Sequence, residues 1–285
     1  MKKIQRKILI VLLSVTFIVV FLFAIKGKIQ IPKSFQILNL EFSLYGIFIG
    51  VGIISVLQLL EKHTKYINKE QIWEGLIWAL IPGIICARLY HVITDFEMYR
   101  NNWVDMFQIW KGGLGIFGGL IGGLIGLWFY TRKQDVPFLG TIEQIAVFLP
   151  IGQVIGRFGN FVNQEIFGPP TSLIWGMYIR PENRPEEYKN FSFFHPAFLY
   201  EQIGNVTLFV ILYYFYKKRG VRKDGFFAVV YIFGYSCIRF IVEFFRLDPK
   251  IVWSLSYGQI VSLLFIMLCL LYFVFLLTLK NVKNN

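Results

Sequence analysis

"YGQIVSLLFIMLCLLYFVFLLTL" (residues 257–279) contains no charged side chain and no alternation of polar with apolar positions. As a helix rising about 1.5 Å per residue, a stretch of this length exceeds a hydrocarbon core of about 30 Å. Lipid offers the backbone no hydrogen-bond partner, so a continuous apolar run reads as a helix rather than as a barrel strand, which would alternate. Working outward, comparable runs occupy roughly 8–25, 44–60, 72–92, 113–130, 141–158, 197–216 and 225–244. The expected fold is therefore all-α: a polytopic membrane helical bundle of about eight transmembrane helices. A chain that is 56% hydrophobic and 16% charged is too apolar to be a water-facing globule.

An even number of spans puts both termini on one side. If that side is the cytoplasm, its segments hold sixteen of the 29 Lys and Arg residues, against ten outside and three within spans, as the positive-inside rule favours. The net charge of +12 is in keeping with this topology and with anionic membrane lipid as a partner; no nucleic-acid partner is expected. Residues 1–30 have a basic start and a long apolar run without a small-residue cleavage site, so they read as an uncleaved anchor ahead of one membrane domain, 31–285. Proline, charge and aromatic residues mix in "GPPTSLIWGMYIRPENRPEEYKNFSFFHP", which suggests a small external head at about 169–195. Cys86, Cys237 and Cys269 are far apart within apolar spans, and read as packing residues rather than as a disulfide or metal set.

Two stretches have clear structural readings. Trp103, Phe107 and Trp110 fall at i, i+4 and i+7, so one face of a short helix is expected at the outer headgroup level. In "GGLGIFGGLIGGLIG", Gly118 with Gly122, Gly119 with Gly123 and Gly122 with Gly126 form small-xxx-small pairs that predict close helix packing.

Charges inside spans need another explanation, because one at the bilayer centre costs on the order of 2.5–3.5 kcal/mol even on insertion scales. Arg88, Glu143, Arg157, Arg239 and Glu243 are such residues. They either pair as structural glue or line a wet cavity that meets a charged ligand. Tyr235, Arg239, Glu243 and Arg246 step by four, four and three, which places them on one helical stripe. Arg239 can pair with Glu243; the second arginine then leaves positive charge over, and guanidinium groups suit phosphate oxygens. In "IGRFGNFVNQEIFG" (155–168), Gly156 and Gly159 flank Arg157 and weaken a regular helix, Asn160 and Asn163 supply donors and acceptors, and Glu165 can orient the amides or pair with Arg157.

"GRFGNFVNQEIFG" (156–168) also resembles the signature of the bacterial prolipoprotein diacylglyceryl transferases, Gly-Arg-x-Gly-Asn-Phe-apolar-Asn-x-Glu-x-x-Gly, at every fixed position. The resemblance runs from residue 42 to about 270 through "LYGIFIG", "ARLYHVI", "KGGLGIFGGLIGG", "HPAFLYE", "GYSCIRFIVEFFRLDP" and "SYGQIVSL". It implies that the diacylglyceryl unit of phosphatidylglycerol moves to the thiol of a preprolipoprotein's lipobox cysteine, next to its signal peptide, and that glycerol 1-phosphate leaves. The implied setting is the bacterial cytoplasmic membrane, with no metal or organic cofactor. The family carries seven spans, so this chain adds one in front. By the same resemblance Arg157, Arg239 and Tyr45 are the catalytic candidates, the two arginines holding phosphate. Asn160, Glu165, Gly168, Tyr235 and Glu243 match positions that shape the site, and Arg246, Arg88 and His195 join them as substrate-binding candidates. His195 either binds at the outer surface or, with Pro196, starts a helix; Tyr200 and Glu201 follow it and stand as supports for the cleft. Many family members carry a histidine where this chain has Phe117, which cannot accept a proton. The thiol base is then another group, a ligand phosphate oxygen, or water. Two other functions fit the same residues: a relative that binds anionic lipid or preprolipoprotein without turnover, and a transporter of a phosphorylated or lipid substrate, although no internal repeat of the kind transporters show is evident.

Overall fold

In a computed structural model of the chain, which describes residues 2–38, 40–64, 67–100, 102–220 and 224–284, eight α-helices take the places of the predicted spans. They are α1 (Lys2–Ile25), α2 (Leu44–His63), α3 (Lys69–Thr94), α4 (Ile116–Lys133), α5 (Phe138–Asn163), α6 (Ala197–Arg219), α7 (Phe226–Val242) and α8 (Tyr257–Asn284). Three antiparallel pairs connect them: β1 (Ser34–Ile37) with β2 (Leu40–Ser43), β3 (Met177–Tyr178) with β4 (Phe193–Phe194), and β5 (Lys250–Val252) with β6 (Leu255–Ser256). Among the described residues six helices are long and apolar enough to cross a bilayer: α2, α3, α5, α6, α8, and α7 together with the turn that extends it to Phe245. The chain is an all-α, multi-pass membrane protein. Lys65, Arg222 and Lys223, part of the predicted cytoplasmic basic set, lie outside the described residues.

Contacts divide the chain into two units. The first comprises Met1–Ser55, Leu149–Tyr213 and Val229–Asn285. Its core joins the end of α1 to the end of α5 and to the segment between α5 and α6: Ala24 and Ile25 are buried with Phe161, Val162, Met177, Ile179, Phe194 and Phe198. Phe17 and Phe21 stack edge-on against Phe158, at 5.6 and 5.9 Å between ring centroids. Gln164 organises the turn beyond α5. Its side-chain oxygen accepts from the Arg180 N–H at 2.9 Å and from the Asn183 amide at 3.0 Å, and its amide donates to the Tyr178 carbonyl.

The second unit comprises Val56–Phe148 and Tyr214–Ala228. Here the glycine run makes the seam its spacing predicts. A Cβ on Gly118, Gly122 or Gly126 would overlap the carbonyl oxygens of Cys86, Pro82 and Trp78 respectively, so steps of four on α4 face steps of four on α3 backbone to backbone. The row through Gly119 and Gly123 is looser, with 3.6 Å to the nearest atom at each. Glu143 is fully buried and accepts from the Gly225 N–H at 2.9 Å, which ties the start of α7 to α5 within this unit.

Between α3 and α4 the aromatic stretch departs from expectation. It forms three short 3-10 segments, Phe96–Met98, Trp103–Phe107 and Ile109–Lys111, rather than one α-helix. Arg88 is the physical reason. Its guanidinium donates to the carbonyls of Asp105, Met106 (2.9 Å), Gly112 (2.6 Å) and Gly113 (2.9 Å), turning inward acceptors that an α-helix would direct along its own axis. Trp103, Phe107 and Trp110 all remain exposed, which preserves the apolar surface that the spacing predicts.

Candidate active site

The signature runs as helix to Asn163 despite its two glycines. Gly156 has open space beside it, whereas a Cβ on Gly159 would collide with the ring of Tyr45, which lies near the start of α2. The glycine thus admits a side chain rather than breaking the helix. Past Asn163 the chain reverses through Gln164 (φ 53°) and Ile166 (φ 56°), left-handed conformations that side-chain-bearing residues seldom adopt and that concentrate at functional sites. The reversal lets the Glu165 N–H donate to the Asn160 carbonyl, and returns the Glu165 carboxylate to the Asn160 amide at 2.7 Å.

Asn160 links Glu165 to the arginine. Its side-chain oxygen accepts from Arg157 at 2.9 Å, and the other arm of the Arg157 guanidinium donates to Glu201, on α6. Glu201 is 1% exposed. The same Glu201 oxygen accepts from the Tyr235 hydroxyl of α7 at 3.0 Å. Its second oxygen, Oε2, faces Nη1 of Arg239 at 3.9 Å, too far for a hydrogen bond, and each of these two buried atoms is without a hydrogen-bond partner among the described residues. Arg239 meets Glu243 at 2.8 Å, four residues along, and Glu243 accepts from the Ser256 hydroxyl at 2.7 Å. A Cβ on Gly258 would strike that carboxylate, so the bend from β6 into α8 is shaped around it.

The stripe predicted on α7 holds for Tyr235, Arg239 and Glu243, but the α-helix ends at Val242, and Arg246 lies beyond a 3-10 turn in extended backbone. There it makes two hydrogen bonds to Asp248, at 2.9 and 3.2 Å. The expected surplus of positive charge on the stripe is therefore absent, because a carboxylate that the stripe argument did not count pairs with the second arginine. Burial works to raise the Asp248 pKa; hydrogen bonding from Glu243 and Arg246 and the charges of Arg246 and Arg239 outweigh it, and hold the carboxyl below the usual range. The connected network contains three guanidiniums, Arg157, Arg239 and Arg246, against four carboxylates, Glu165, Glu201, Glu243 and Asp248. An anion enters such a set only where it replaces a carboxylate or a carboxylate takes a proton.

The remaining candidates lie around this network or away from it. Gly168 donates its N–H to the His195 carbonyl at 2.9 Å, and a Cβ there would overlap the Phe245 carbonyl. Its role in the fold is close approach of the segment between α5 and α6 to the turn that follows α7. His195 meets the Tyr200 hydroxyl at 2.9 Å through Nδ1, and α6 begins two residues later, just past Pro196. Burial pushes the His195 pKa down, which favours neutral imidazole. Arg88 belongs to the second unit with its donors on carbonyls, as described above. Phe117, at the start of α4, contacts the Tyr90 ring at 6.2 Å between centroids. Asp248 is the functional candidate that sequence reasoning left out of the site, and Glu201, taken there only as a support for the cleft, lies at the centre of the network. The signal for both was available: a carboxylate at the head of an apolar helix, and one two residues past an arginine.

An apolar helical protein with guanidiniums facing a buried carboxylate near the ends of α5, α6 and α7 belongs to the class of multi-pass membrane proteins with a charge-paired polar site inside their candidate spans. The family model for prolipoprotein diacylglyceryl transferase matches residues 32–275, and the chain belongs to that family. The phosphatidylglycerol–prolipoprotein diacylglyceryl transferase of Fervidobacterium nodosum is 35% identical over 254 residues, covering 88% of this chain and 87% of the relative. The protein of the same name from Thermotoga maritima is 36% identical over 277 residues, 94% of each chain. That from Synechocystis is 36% identical over 243 residues, 83% of this chain and 86% of the relative.

Proposed function

We propose that this chain transfers the diacylglyceryl group of phosphatidylglycerol to the cysteine thiol of a preprolipoprotein lipobox and releases glycerol 1-phosphate. The observation that carries this reading is the pair of guanidiniums, Arg157 and Arg239, on either side of Glu201. Two guanidiniums held by one carboxylate are spaced to grip the oxygens of one phosphodiester, because carboxylate and phosphate present similar paired acceptors. When sulfur attacks the glycerol carbon, negative charge grows on the departing phosphate, and donors fixed in place beforehand stabilise it more than they stabilise the ground state. Asn160 holds the Arg157 fork in plane, and Glu243 does the same for Arg239 from the far side.

On this reading both termini are cytoplasmic, the network sits at the outer half of the cytoplasmic membrane, and the lipid enters from the bilayer. Residues 1–30 form an added anchor preceding the transferase domain 31–285; α1, all of which precedes the matched residues 32–275, packs against the signature helix through Phe158 and Phe161.

The test is to incubate the purified protein with phosphatidylglycerol and a lipobox peptide and to weigh the peptide by mass spectrometry. A gain of one diacylglyceryl unit is expected, lost in Arg157→Ala. Phe117 gives a second reading a specific footing, since a chain without the usual base can bind without turnover. Peptide and lipid retained together with no mass gain supports that one instead.

A further inference from the structure

The transfer needs a group to take the thiol proton, and Phe117 is not one. Glu201 meets three conditions for the task. It is a carboxylate buried where the two phosphate-gripping guanidiniums converge, with Arg157 from α5 and Arg239 from α7 facing it. Its Oε1 accepts from Arg157 and from the Tyr235 hydroxyl, and the hydroxyl remains to orient it when a phosphate takes Arg157. Its Oε2 has no hydrogen-bond partner among the described residues, and so is free to accept. The charged groups around it continue with Glu243 and Asp248, which reach Arg239 at 2.8 and 3.8 Å, so Arg239 is shared with other anions while Arg157 has the neutral Asn160 as its second partner.

We propose that Glu201 is the proton acceptor for the lipobox thiol, and that the lipid phosphate switches it on by taking over its guanidinium partners. An opposite charge nearby favours the ionised carboxylate, and withdrawing that charge favours protonation. Before lipid arrives, Glu201 is engaged by the arginines. The phosphodiester then replaces it on Arg157 and fills the gap to Arg239, which leaves a carboxylate in a low-dielectric site beside the incoming thiol. The S–H proton passes to Glu201 Oε2; the sulfur electron pair forms the C–S bond to the glycerol carbon; the C–O bond to phosphate breaks with its electron pair on oxygen. Glycerol 1-phosphate departs as the anion and carries away the proton, or leaves it for water, and Glu201 returns to the arginines. The coupling ties deprotonation to lipid binding, so that no free thiolate forms in an empty site.

This inference rests on the proposed transfer, and its test separates the two. Single-turnover transfer is measured by mass spectrometry with wild type, Glu201→Gln and Glu201→Asp, each on a lipobox peptide with cysteine and on the same peptide with selenocysteine, whose selenol is already ionised at neutral pH. Glutamine keeps an oxygen for Arg157 and Tyr235 but takes no proton. Glu201→Gln is expected to slow the thiol peptide by about 10²–10³-fold at pH 7, the range for losing a general base. The selenol peptide should slow at least tenfold less, and the thiol rate should climb as pH approaches the thiol's own pKa of about 8.5. Equal losses for both nucleophiles would reduce Glu201 to a positioning residue, and an unimpaired variant would remove it from the mechanism. If glutamine prevents folding, as a melting curve shows, Glu201→Asp decides: it should slow thiol transfer on the order of tenfold and selenol transfer less than twofold, and an equal slowing of the two overturns the assignment. Wild type that adds no mass to either peptide would sink the proposed function itself.

Discussion

Arg88, buried, and Arg157, half-buried, are both arginines within membrane helices, yet their surroundings differ in kind. Arg88 donates to four backbone carbonyls, two within the 3-10 segment Trp103–Phe107 and two in the glycine pair that follows the last such segment, and these cannot move without shifting the main chain. Arg157 donates to the side chains of Asn160 and Glu201, and a phosphate can substitute for either one without disturbing the backbone. A guanidinium satisfied by main chain is a structural pin; one satisfied by carboxylate holds a place for another anion. The glycines divide the same way. Those of α4 bring two backbones together, whereas Gly159 of α5 makes room for Tyr45.

Changes at the two arginines should therefore fail differently. The largest effect expected is on chemistry: Arg157→Ala should lower the single-turnover transfer rate by about 10²–10³-fold or more, the cost of losing a fixed donor to a developing oxyanion. Arg88→Ala should show instead as a loss of about 3 kcal/mol in stability, read from denaturation in detergent, because several buried carbonyls lose their donor at once. An Arg88→Ala protein with an unshifted melt that no longer binds phosphatidylglycerol would break the contrast. Next in size is the glycine seam. Gly126→Ala should cost on the order of 1–3 kcal/mol because the methyl overlaps the Trp78 carbonyl, while Gly119→Ala, with 3.6 Å of room, should be neutral or slightly stabilising. Equal melts for the two would show that the rows are not distinct.

The smallest effect expected is pH-dependent. Burial lowers the folded-state pKa of His195, so the unfolded chain binds the proton more readily, and this contribution to stability is present above about pH 6.5 and is lost as pH falls through the folded value. Partial exposure keeps it below about 1 kcal/mol. His195→Asn should flatten the melting temperature between pH 7 and 5 relative to wild type; an unchanged slope would assign the dependence elsewhere.

Much of this architecture was legible from residue order. The run at 257–279 required a spanning helix, and α8 begins at Tyr257; the glycine spacing required a close seam, and α3 supplies the carbonyls for it. These features depend on period and length, which a linear chain displays. Arg157, Asn160, Glu165, Tyr235, Arg239 and Glu243 were also singled out from order alone, because charge inside an apolar run is conspicuous.

What order could not supply is who pairs with whom. Glu201 lies 44 residues from Arg157 and 38 from Arg239, and only the packing of α5, α6 and α7 puts its carboxylate between them. Asp248 reaches Arg246 because the α-helix stops at Val242, a boundary that helical spacing runs straight past. Electrostatic energy depends on distance through space and not along the chain. The sequence by itself determined that charge would be buried in this protein; the tertiary structure decided which carboxylates would face each guanidinium.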